Sequence, residues 1–177
     1  MTVRITKPEF NLRDKLNYLD FDRVPYDKMP AGSIIQMKVA QLDTAVTLTA
    51  TGDIMSTTYN PVRADSKILI DIRLRAHEDT GNNAKWYVGL KKTIGGMNSY
   101  PGGQYMMHNR SNTGTSEWGG YYQMVVDGAG GSSEITYTLR AGPWGSANST
   151  SFRVNRSQGD GERGGAQLII YEVAHNK

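Results

Sequence analysis

The chain of 177 residues has no cysteine. This excludes a disulfide framework, a thiolate nucleophile and a Cys-ligated metal site, and it fits assembly in a reducing cytoplasm. A dominant charge sign is also missing. The 20 Lys and Arg against 17 Asp and Glu leave a formal net charge of +3. The basic residues are dispersed rather than gathered into the stripe or patch of a nucleic-acid binder, so no nucleic-acid partner is expected. No apolar run approaches the ~20 residues that cross a bilayer, so membrane insertion is not expected. The opening Met-Thr-Val-Arg-Ile-Thr-Lys-Pro lacks the apolar core of a secretory signal. Coiled-coil heptads and a three-residue glycine period are absent, which excludes a fibrous shaft.

What is present is a polar chain of mean hydropathy −0.52, 38% hydrophobic and carrying 20 glycines. It divides at Met29-Pro30-Ala31-Gly32-Ser33-Ile34-Ile35-Gln36-Met37-Lys38-Val39-Ala40. Before this join, the spacing predicts one short helix. Thr6-Lys7-Pro8-Glu9 and Asn11-Leu12-Arg13-Asp14 have the form of helix starts, and Leu12, Leu16 and Leu19 fall on one helical face. A helix of eight to thirteen residues is marginal alone in water. Its leucine stripe must therefore bury, either on the chain's own β module or on a neighbouring subunit or particle. Asp20 to Pro30 is charged, holds two prolines and reads as a linker.

After the join the period becomes two. Ile35, Met37 and Val39 alternate with Ile34, Gln36 and Lys38, and Val46, Leu48 and Ala50 alternate with threonines. Ile68, Ile70, Ile72 and Leu74 oppose Lys67, Asp71, Arg73 and Arg75. Trp86, Val88 and Leu90 continue the pattern, as do Ile135, Tyr137 and Leu139, then Phe152 and Val154, and last Ile169, Tyr171 and Val173. The runs near Gln104–His108 and Tyr121–Val126 are strand-like with less clear faces. Gly95-Gly96, Pro101-Gly102-Gly103, Gly119-Gly120, Gly128-Ala129-Gly130-Gly131 and Gly164-Gly165 supply turns. The expectation is an all-β chain: an antiparallel β-sandwich or jelly roll over residues 31–177, preceded by an arm and linker over residues 1–30 with one short helix.

Catalytic signatures are scarce. His77, His108 and His175 are scattered, and no metal-ligand spacing occurs. His77-Glu78-Asp79 reads as a solvated turn at a strand end. No Gly-x-Ser-x-Gly elbow occurs. Gly159-Asp160-Gly161-Glu162-Arg163-Gly164 matches the dinucleotide fingerprint in letters, but a strand follows it where a helix is required. Asp160 and Glu162 alone do not define a Ca²⁺ site. Neither enzyme activity nor a cofactor or metal is expected. Trp118, Tyr121 and Trp144, set among glycines, are candidates for ligand or partner contact such as stacking on a sugar, with capping of the sandwich core as the alternative.

Three stretches carry a family resemblance. Met29 to Gln36 resembles the entry to a β module found in virion proteins of tailed bacteriophages. Ser66-Lys67-Ile68-Leu69-Ile70 resembles that module's central strand, and Gly164 to Val173 its closing strand. Ile5 to Leu16 is similar to an N-terminal segment of virion proteins of marine phages, including those of cyanobacteria. The resemblance implies a jelly-roll-like β-sandwich module in a virion structural protein on the particle surface, assembled in the host cytoplasm and displayed as a homotrimer. In that reading Phe10, Leu12, Leu16 and Leu19 dock the arm on other virion proteins, with Arg13 at the edge. Two roles fit it, a capsid decoration and a tail-fibre-like appendage touching host glycans. A non-viral carbohydrate-binding module is the further alternative.

Overall fold

A computed structural model describes residues 29–79, 85–104, 107–110, 117–143, 151–155 and 165–175. The arm helix expected near Leu12 to Leu19 lies outside them. The described residues form strands and turns only, in two antiparallel sheets.

The first sheet is built around β4 (Lys67–Asp79). One flank of β4 pairs along nearly its whole length with β8 (Glu117–Gly128). The other flank is shared. Lys67 to Arg73 pair with β11 (Ala166–Val173), and Ala76 to Asp79 pair with β10 (Ser151–Val154). Beyond β11 lies β1 (Ile34–Leu42), and beyond β10 lies β2 (Val46–Leu48). In the second sheet β9 (Ile135–Pro143) separates β3 (Gly52–Tyr59) from β5 (Lys85–Ile94). The far flank of β5 pairs with β7 (Met107–Arg110) and then with β6 (Met97–Ser99). The pairings are nested: β1 with β11, β3 with β9, β4 with β8, β5 with β7.

The expected alternation holds where both sheets contribute their largest side chains. Ile68, Ile70, Ile72 and Leu74 face inward, as do Trp86, Val88 and Leu90, Ile135, Tyr137 and Leu139, and Phe152 and Val154. Trp86 stacks on Phe152 across the sheets, with ring centroids 5.2 Å apart and planes at 19°. The Gly95-Gly96 pair makes the two-residue hairpin between β5 and β6. Both glycines have positive φ, 55° and 83°, the conformation that suits the twist of such a hairpin. Gly89 leaves room for another strand connection, since a side chain there would run into the Gln104 carbonyl.

Two strands differ from the sequence reading. In β1 a register shift between Ile34 and Gln36 breaks the alternation, so Ile35 is buried while Met37 and Val39 face solvent. In β11 the core side is Ala166, Leu168, Ile170 and Glu172; Tyr171 and Val173 lie on the other side. β3, polar and interrupted by a bulge between Asp53 and Met55, is a further strand that no clean alternation announced.

Candidate assembly surface

Because β1, β11, β4 and β8 lie side by side, their outward positions form rows. One row reads Met37, Tyr171, Leu69, Val126, and the next Val39, Ile169, Asp71, Met124. Ile34 and Val173 start a third row that reaches Lys67. Ile34, Met37, Val39, Met124 and Val126 are each 49–65% exposed. The row of Gln41, Gln167 and Arg73 forms a polar border, with the Gln167 amide donating to Gln41 Oε1 at 3.0 Å. Asp71, the charge inside the second row, is held by Arg73 Nη2 at 2.7 Å. An apolar centre inside a polar rim is the anatomy of a protein interface. The open apolar area lies on β1 and β8, with half-buried Leu69 and Tyr171 and nearly covered Ile169 between them, and monomeric proteins seldom leave so many large apolar side chains on one face open to water.

Behind this surface the inward row reads Gln36, Glu172, Ile68, Asp127, and it anchors the sheet to its partner. Glu172 is fully buried. Its carboxylate accepts hydrogen bonds from Ser66 Oγ (2.6 Å), Gln36 Nε2 (2.8 Å), the Val62 and Arg63 amides (2.9 Å each) and Tyr59 OH (3.1 Å). Burial alone would raise its pKa. The donors, led by Ser66 and the two amides, outweigh that and hold the carboxyl below its ordinary value. With its lone pairs taken up, Glu172 serves as an anchor and not as a base. It ties the loop after β3 to β11 and β1.

The second acid of the row, Asp127, accepts from Tyr137 OH at 2.8 Å and pairs with Lys92 Nζ at 2.7 Å. Lys92, buried on β5, also donates to the Gly128 carbonyl at 2.7 Å. Burial first, and then the facing carboxylates, push the Tyr59 and Tyr137 phenols well above their usual range, so both stay protonated donors. Replacing Lys92 with Met should cost about 2 kcal/mol, since a charged hydrogen bond is lost and Asp127 is left half-satisfied. Chemical denaturation of the variant against wild type measures it.

Phe10, Leu12, Arg13, Leu16, Leu19 and Trp144 lie outside the described residues. Trp118 and Tyr121 fall on strand β8, where their backbones pair with His77 and Leu74, and not on a loop. The Gly159–Gly164 segment is outside the described residues, and a strand, β11, follows it as expected. Among the described residues no group of three or more His, Cys, Asp or Glu could hold a metal ion. Sequence reasoning missed Glu172. The available signal was its phase: it continues the Leu168, Ile170 set by steps of two.

No protein-family model matches the chain, and no curated protein does. Solved structures resemble it at low identity. The structure of infectious bursal disease virus Gt strain aligns with 81% of this chain and 39% of its own, at 11% identity and a TM-score of 0.41. The T=1 particles derived from infectious bursal virus give 80% and 37%, 13% identity and 0.40. The D431N mutant VP2 protein of infectious bursal disease virus gives 80% and 37%, 14% identity and 0.38. The chain thus spans less than two fifths of the length of these structures.

Proposed function

We propose that the chain is a structural subunit of a virus particle, built as a jelly-roll sandwich and held to its neighbours by residues 1–30. The observation that carries this reading is the exposed apolar surface across β1, β11, β4 and β8, which suits a subunit made to be covered. The nested strand pairing supports the jelly roll, an architecture used by viral capsid and lectin domains. Architecture alone does not fix function. The outward face favours a subunit that assembles over a lectin that stands alone. The resemblance of the join and the opening segment to virion proteins of tailed phages supplies the particle. The chain works by binding and not by turnover, as a compact decoration or appendage displayed as a homotrimer on the virion surface.

Each buried leucine of the arm contributes ~1.5–3 kcal/mol before ordering costs, so one arm holds weakly and several together hold by avidity. Deleting residues 1–20 should leave a folded β module that no longer joins particles. Circular dichroism and particle co-sedimentation measure the two halves of that statement, and a variant that still joins particles would sink the arm's role. Location is tested by immunogold labelling of intact virions with an antibody against residues 31–177. Label over the head makes the chain a capsid decoration. Label at the tail makes it an appendage and brings Trp118, Tyr121 and Trp144 forward as glycan contacts. Virions that carry neither label nor the chain by mass spectrometry overturn the virion reading.

A further inference from the structure

The chain holds two apolar surfaces in want of a cover. One is the outward face of β1, β11, β4 and β8. The other is the Leu12, Leu16, Leu19 stripe read from the sequence. We infer that they cover each other between copies: the face is the seat for the N-terminal arm of a second copy of this chain. This rests on the reading above that the arm binds a neighbouring subunit, and it names that neighbour and the site.

The sizes match. At 1.5 Å per residue, the seven-residue step from Leu12 to Leu19 covers about 10 Å of a helix. The four strands of the face, about 4.8 Å apart, are ~14 Å across. Three large apolar side chains at that spacing can lie over Met37, Tyr171, Leu69 and Val126 and over the Val39–Ile169 pair beside them.

The root of the arm is also fixed. Gly32 N donates to the Ala174 carbonyl and Ala174 N to the Ser33 carbonyl, both at 2.8 Å. These bonds hold the chain where the Ile34–Val173 pair begins the face. The arm therefore leaves from the border of a seat. Residues 20–30 separate that root from the stripe. Charged, with two prolines, they span about 34 Å when extended at ~3.1 Å per residue, over twice the width of the face. A linker of that reach is long enough for the stripe to be delivered to the seat of a second copy. One arm and one seat per copy make a head-to-tail contact, which closes into a ring when the rotation allows. The expected homotrimer is such a ring.

The test uses the full chain in two variants. Met37→Lys with Val126→Lys spoils the seat and leaves the arm. Leu12→Asp with Leu16→Asp spoils the arm and leaves the seat. All four positions stand outside the described core, so melting temperatures within a few degrees of wild type are expected. If the seat variant fails to fold, Val39→Lys alone takes its place. Sedimentation velocity should find wild type oligomeric and each variant alone monomeric; an equal mixture of the two, run at concentrations high enough to populate a single weak contact, should shift toward a dimer, because one intact arm then meets one intact seat. A monomeric wild type, an oligomer that survives either variant, or a mixture that stays monomeric overturns the proposal; the last result places the arm on its own sheet. None of these outcomes touches the virion reading, which the labelling experiment decides separately.

Discussion

Replacing Glu172 with Ala should destabilise the protein by at least about 4 kcal/mol. The carboxylate is buried with five donors converging on it, from Gln36, Tyr59, Val62, Arg63 and Ser66. Removing it leaves buried donors unpaired at ~1–3 kcal/mol each, and only those near the exposed Val62 can turn to water. Glu172→Gln should recover a part only, because its amide group meets donors where an acceptor is needed. Urea unfolding midpoints of the three proteins measure the order. The same group sets an acid limit. Its pKa in the fold lies below the ordinary 4.5, so its stabilisation is complete above about that pH and is lost as the pH falls through the folded-state value. Melting temperature should drop below pH ~4.5, and less steeply in Glu172→Gln. At the alkaline end the sign reverses. Tyr59 and Tyr137, raised from 10.0 by burial and by the acids they face, stabilise fully below that pH and progressively less above it.

Trp86→Ala should cost about 3–5 kcal/mol, the usual range for emptying a large aromatic from a core. Trp86 has no exposed surface, and its stacking partner Phe152 belongs to the other sheet. The loss therefore opens a cavity between the sheets at the end away from Glu172. Phe152→Leu should cost less, since it keeps most of the volume. A double-mutant cycle over the pair should return a coupling of about 1 kcal/mol, the size of an aromatic contact beyond its buried area. Additive losses would mean the rings do not support each other.

The strands that face the core squarely were legible in the sequence. In Ile68 to Leu74, Trp86 to Leu90 and Ile135 to Leu139, one set of large apolar residues alternates with polar ones, and the structure buries that set. β1 and β11 were found as strands but not in their correct phase. β1 is apolar on both sides, and its bulge shifts the alternation by one after Ile35, which no local pattern reveals. β11 also has apolar residues on both faces, and its core side ends in an acid whose donors come from a loop over a hundred positions earlier. The ambiguity has one cause: both strands belong to the sheet whose outer face is itself apolar. The exposed apolar face was thus present in the sequence as an uncertainty about phase. β3 was missed because threonine and serine fill it, with Thr57 holding an inward position a larger apolar residue would have marked.

The nesting of the strands also governs how the chain can be made. β11 lies between β1 and β4, although 86 residues of chain separate it from β4 and more than a hundred separate it from β1. Until it emerges from the ribosome, β1 has no ladder partner among the described strands, and β4 has only β8 and the four-residue β10 among them. The first sheet therefore stays incomplete until β11 has been made, and it closes around that strand. Such long-range pairing puts folding in the millisecond-to-second range, and for that time the core side of β4 and the apolar outer face of the sheet are open together. A cell making many copies at once must keep those open surfaces apart until β11 is in place, so β11 sets how long the nascent sheet stays open to wrong partners.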